Sequence, residues 1–278
     1  MDSLGSSPSA VALRSIWAVL LLSAQRLIRS KFLWANLGLA AVPVAIACLW
    51  SFAPDAGSRD LGDAHALFGT LLRTLHLHIV VFFVANIFGF AVMRQELDDH
   101  TLHYLVLQPT GRWVLVLGKL VACTLLASAL CVASLWIAFL VMILPRFGLE
   151  ALARDLFIEG WLSALLKGSL VVILGLLAYT TIAMLMGSFF KSGLYGLLFL
   201  AWEAGLPYLP STMKHWTIMH YLQSLLPETA TIEHRIFEML GDPAPVWMCL
   251  TVIGAVALVF TGVCTLLFQF RECLYTET

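Results

Sequence analysis

Apolar runs near twenty residues long recur along this chain of 278 residues, and no other feature constrains its fold as much. A helix of that length rises about 1.5 Å per residue and so matches the ~30 Å hydrocarbon core of a bilayer. It also satisfies every backbone N–H and C=O within itself, as a medium without water demands. The runs are continuous and do not alternate, which argues against a β-barrel. Of the residues, 60% are hydrophobic and 12% charged, where a soluble domain carries about 25% charged. The net charge is -1, and nothing points to nucleic acid. The chain reads as an all-α integral membrane protein, a single transmembrane domain over residues 1–278.

Residues 1–10 are Ser-rich and uncharged apart from Asp2 and the amino terminus. They are expected to be disordered, and the pattern is not that of a cleaved leader, so the first span is expected to stay as an anchor. Over residues 11–31, Leu13, Ile16, Trp17, Leu20, Leu21, Ala24, Leu27 and Ile28 fall on one helical stripe. Arg26, Arg29 and Lys31 would sit deep in lipid if this stretch crossed the membrane, so it is predicted to lie in the interface.

The first span is predicted from Trp34 to Phe52, with Pro43 in its middle. A polar connection over 53–73 leads to a second span, Leu75 to Met93. The third runs from Arg112 to Leu144 and stops before Pro145, and a charged loop covers 145–159. The fourth runs from Gly160 to Phe190. The fifth apolar run, Gly193 to Leu206, is short and broken by Pro207 and Pro210. Residues 211–241 hold two amphipathic segments split by Pro227, too short to span, which read as surface or re-entrant helices. The sixth span is Val246 to Phe270. With the N-terminus inside, nine Lys and Arg fall on the inner side against six on the outer. That bias places both termini in the cytoplasm.

On that topology one polar stretch, Glu96 to Lys119, lies inside between the second and third spans. Asp98 or Asp99 suits a helix N-cap, because a short carboxylate accepts from the free N–H groups of the first turn. Pro109 ends that helix. Leu102, Leu105 and Val106 share one face at i, i+3, i+4 spacing. A short amphipathic surface helix of this kind suits a groove on another protein. Gly118 permits close helix packing, while Arg112 and Lys119 can reach anionic headgroups.

The spacing Glu96-x4-Thr101-Leu102-x2-Leu105-Val106-x2-Pro109-x2-Arg112-x5-Gly118-Lys119 resembles the first cytoplasmic loop of type-2 ATP-binding-cassette exporter permeases. His100 stands where that family usually has Gly. The resemblance implies six transmembrane helices with an N-terminal interfacial elbow helix over 11–31. It also implies a cytoplasmic coupling helix over 96–110 and short re-entrant or outer helices over 207–243. It makes Glu96, Asp98, Asp99, Thr101, Leu102, Leu105, Pro109 and Arg112 the contact with a separate ATPase subunit. ATP and magnesium would sit on that partner, so the chain itself is expected to need no cofactor and to be no enzyme. No Gly-x4-Gly-Lys-Ser/Thr occurs in it. A second permease, copy or paralogue, would complete the assembly in the cytoplasmic (inner) membrane.

Two charges fall within apolar runs, Glu203 and Lys167, and intramembrane charges usually face a cavity or a partner. Glu203 reads either as lining an exit path or as pairing with Lys214 or Arg235, and Lys167 as snorkelling outward. His100 and His103 are one helical turn apart, a spacing that suits two metal ligands, but no third ligand converges on them. His76 and His78 are equally weak candidates, as is an outer metal or haem site of His215, His220 and His234 with Glu228, Glu233 and Glu238. The six cysteines form no CxxC pair and read as small buried hydrophobes. Trp216 and Tyr221 read as interface-belt residues. The expected function is export, or extraction from the bilayer, of a hydrophobic or amphipathic substrate. Three other classes fit less well: a mechanical transmitter to a periplasmic partner, an ion-coupled transporter using Glu203, and a membrane redox or metal protein.

Overall fold

The computed structural model describes residues 8–53, 60–98, 111–190, 196, 199, 202–203, 215–226 and 243–275. Among them are eight α-helices, one π-helical segment and no strand. Helix α1 covers Pro8–Ile28 and α2 Lys31–Ser51. Helix α3 covers Leu61–Thr70, runs into a π segment over Leu71–Val81, and this runs into α4 over Phe82–Asp98. Helix α5 covers Arg112–Phe157, α6 Trp161–Phe189, α7 Ile218–Ser224 and α8 Val246–Tyr275. Five of these stretches are long and apolar enough to cross a membrane: α2, the α3–α4 rod, α5, α6 and α8. Residues 193–206, expected as a fifth span, lie mostly outside the described residues.

Helix α1 begins at Pro8, inside the stretch expected to be disordered, and three further boundaries differ from the sequence expectation. The stretch expected as a polar connection is helical from Leu61 onward. Asp60 accepts from the N–H of Asp63, whose carboxylate accepts in return from the N–H of Asp60. This reciprocal capping box nucleates the rod from an acidic pair that first reads as loop. The charged segment 145–159 is also largely helical. Pro145 does not stop α5, and the break falls at Gly148, where φ is +80° and ψ 177°. At the other end of the rod, Asp98 is the last residue of α4. The rod thus extends to one of the two aspartates expected as a cap, and Asp99, the other, lies outside the described residues.

The two middle helices of the bundle, α4 and α6, cross closely because glycines leave room. A Cβ at Gly89 would stand 2.7 Å from Ala183 Cβ and 2.9 Å from the Thr180 carbonyl, and one at Gly187 2.8 Å from the Phe90 carbonyl. Such crossings gain dispersion contacts where lipid offers no hydrophobic drive. Helix α5 packs beside this pair, with α1 and α2 against α5 and α8 against α6. In α2 the buried face is Asn36, Ala40, Pro43, Ala47 and Ser51. The Ser134 hydroxyl donates to the Ala40 carbonyl one turn before Pro43, where the proline weakens the ladder. The other faces of α2 and α8 carry Trp34, Leu37, Leu49, Leu258 and Val259, all exposed, as lipid-facing helices do. Helix α1 seats on α5 at Gly118, whose added Cβ would meet Val19 at 2.8 Å. Beside it Lys119 is 3% exposed. It is buried in the bundle and not at the headgroups, where the sequence reading had put it.

Candidate functional site

A buried, hydrogen-bonded polar site surrounds Glu203. Its Oε1 accepts from the N–H of Ile218 at 3.1 Å, and its Oε2 from the N–H of Met219 at 3.3 Å. The Tyr179 hydroxyl donates to Oε2 at 3.4 Å. Glu203 is 3% exposed. The first turn of α7 presents backbone donors that no helical carbonyl can satisfy, and a carboxylate is a strong acceptor for them. Thr217 completes the cap by accepting from the N–H of His220. Lys214 and Arg235, the partners expected from the sequence, lie outside the described residues. Around the carboxylate, Phe82, Tyr179 and Phe199 form an aromatic trio with ring centroids 5.3 to 6.3 Å apart. Its low polarity keeps the hydrogen bonds strong.

Helix α7 is buried along its length and packs against three other elements. Leu222 Cδ1 would lie 3.0 Å from a Cβ added at Gly175, the midpoint of the 29-residue α6. His78 in the π segment faces it on another side. Its Nδ1 is 2.9 Å from the Arg73 carbonyl, five residues back. A carbonyl only accepts, so Nδ1 carries the proton and Nε2 accepts from the Gln223 amide at 3.4 Å. On the third side Ser224 accepts from the N–H of Ala244, just before α8. Tyr221 is buried, its hydroxyl donating to the His215 carbonyl at 2.9 Å, while Trp216 is exposed. Tyr221 therefore does not belong to an interface belt.

The other pathway candidate, Lys167, is exposed on α6 beside the exposed Leu166 and Leu170. It is not brought to Glu203. Of the predicted ATPase-contact residues, Glu96 and Asp98 lie in the last turn of α4, and Arg112 opens α5 after Gly111. Asp99, Thr101, Leu102, Leu105 and Pro109 lie outside the described residues, as do His100 and His103. Tyr179 and Thr217 escaped the sequence reading. A tyrosine inside an apolar run was the available signal, since its hydroxyl needs a partner when buried.

The family model for "ABC-2 family transporter protein" matches residues 24–201. The chain belongs to this ABC-2 transporter family. The match runs from the end of α1 to just short of Glu203 and includes both ends of the α4–α5 connection. As a member of the ABC-2 family, the protein is a multi-pass membrane transporter subunit of the kind that works with an ATPase partner. No curated protein matches the chain. Helix α7 and α8 fall outside the matched region, so the Glu203 site rests on its own geometry.

Proposed function

We propose that the chain is the permease subunit of an ATP-driven exporter that moves a hydrophobic or amphipathic substrate across, or out of, the cytoplasmic membrane. The observation that carries this reading is the family match across the connection between α4 and α5. In this reading both termini are cytoplasmic, and the stretch from Glu96 to Arg112 docks on a separate ATPase that binds ATP and magnesium. Leu102 and Leu105 enter the groove, Glu96, Asp98 and Asp99 meet basic residues of the partner, and Thr101, Pro109 and Arg112 hold the helix at the membrane. A second permease, copy or paralogue, faces the first. Helix α7 is a re-entrant plug on the outer half of the pathway, held by Glu203, and Lys167 snorkels to the outer headgroups. Its packing against the midpoint of α6 supports this depth.

The test is purification of the tagged chain from native membranes in mild detergent. A stoichiometric soluble protein carrying Gly-x4-Gly-Lys-Ser/Thr is expected, together with nucleotide-dependent activity. Leu105→Asp should release that protein while leaving the membrane subunit monodisperse. Retention of ATP-driven activity in Leu105→Asp would sink the docking role. Recovery of the chain alone would sink the ATP-driven reading and favour an ion-coupled transporter.

A further inference from the structure

We propose that residues 149–159 form a flap, hinged at Gly148 and Gly160 and latched to α3 by Asp155 and His65, which ties together the ends of three spans remote from the α4–α5 connection. The hinges are backbone features. Gly148 has φ +80° and Gly160 φ +81°, and a Cβ added at either would meet nothing within 4 Å. Neither glycine is there to make space, so what each supplies is a conformation that other residues rarely adopt.

The latch is well defined. Asp155 is fully buried, and its Oδ2 lies 2.9 Å from His65 Nε2, across 90 residues of sequence. The His65 ring stacks on Trp161 at 4.0 Å and 26°. Trp161 in turn stacks on Phe139 at 5.9 Å and meets Phe68 edge-on at 6.3 Å. Three elements therefore meet at one imidazole: α3 through His65 and Phe68, α5 through Phe139 and Asp155, and α6 through Trp161. Elsewhere the flap is thinly held. Leu149, Phe157 and Ile158 are 71%, 76% and 78% exposed, and Arg154 pairs with Glu159 inside the flap itself. Only Leu152 and Leu156 accompany Asp155 on the inward face.

A leucine in place of Asp155 would hold the flap by burial in many registers. A buried polar pair holds in one geometry and loses its partner when that geometry is lost. The same helical rod that carries His65 runs unbroken through the π segment to Asp98. A shift imposed at 99–110 thus reaches the latch along one rod. That coupling rests on the ATPase-docking reading above; the latch itself does not.

Hydrogen–deuterium exchange on the purified full chain tests the latch first. His65→Phe keeps a ring on Trp161 and removes the bond to Asp155, and Asp155→Asn removes the charge. Both are expected to speed exchange of the amides of 150–157 at least tenfold, with 115–143 unchanged. Wild-type protection of 150–157 in both variants overturns the proposal. Equal acceleration across 115–143 also overturns it, because the contact then supports the whole bundle. The second arm uses the chain with its co-purified ATPase and a non-hydrolysable ATP analogue. Nucleotide is expected to change exchange in 150–157, and an unchanged flap overturns the coupling. Failure to recover an ATPase would count against the permease reading only, since the first arm needs no partner.

Discussion

Glu203 and Ile218 are joined by a hydrogen bond of 3.1 Å from the N–H of Ile218 to the carboxylate. It fastens the start of α7 to a side chain from the short fifth apolar run. Removing the carboxylate strands two buried backbone donors, at about 1–3 kcal/mol each. Glu203→Ala is therefore expected to lower the thermal midpoint most. Glu203→Gln keeps one good acceptor and should lower it less, and Tyr179→Phe, which loses one long bond, least. Thermal unfolding in detergent gives the order, and exchange at 215–226 shows where protection is lost. An unchanged midpoint in Glu203→Ala would mean that α7 is held by packing alone.

The glycines of the bundle divide by what surrounds them. Gly89→Val places a side chain against Ala183 Cβ and the Thr180 carbonyl, both under 3 Å. It is expected to force α4 and α6 apart and to abolish a monodisperse peak on size-exclusion chromatography. Gly254→Ala meets nothing within 4 Å and is expected to behave as wild type or slightly better, because alanine favours the helix by about 1 kcal/mol. Equal behaviour of the two would refute the close crossing.

At the hinges the cost is conformational. Gly148, at φ +80° and ψ 177°, occupies a region that is nearly glycine-only, and Gly160, at φ +81° and ψ 11°, lies near the left-handed helical region. Gly148→Ala should therefore lower the thermal midpoint more than Gly160→Ala, by roughly 1–3 kcal/mol against about 1. Gly160→Asn should be milder than Gly160→Ala, since asparagine tolerates that region better. The reverse order would place the strain elsewhere.

Asp60→Ala removes one half of the capping box of α3. The expected loss is about 1 kcal/mol, confined to the first turn. Exchange at 61–65 should rise, while the π segment keeps its protection behind buried Leu71, Leu72 and Leu77. Exchange rising as far as Val81 would show that the rod is one cooperative unit and not a fraying end.

The spans were legible because a twenty-residue apolar run allows one backbone solution in lipid, and α2, α6 and α8 lie close to where such runs begin and end. The family was legible from the spacing between Glu96 and Lys119. The helix ends were harder to read. Asp60 and Asp63 read as polar loop until their mutual bonds make them a cap, and Pro145 reads as a stop although the break is three residues later at Gly148. Lys119 reads as a headgroup contact because its neighbours in sequence do not reveal that the folded bundle buries it.

The amino-acid sequence by itself determined the class of this protein, the position of its long helices and its place among ABC-2 transporters, since those follow from local composition and short-range spacing. Only the tertiary structure decided that Glu203 holds α7, that Asp155 meets His65, and that Gly89 and Gly187 bring α4 against α6. The reason is physical. A helix in lipid is apolar on every face, so its sequence carries little trace of which face packs inward. The partners of a buried carboxylate or imidazole come from segments far along the chain, and nothing in local pattern says which.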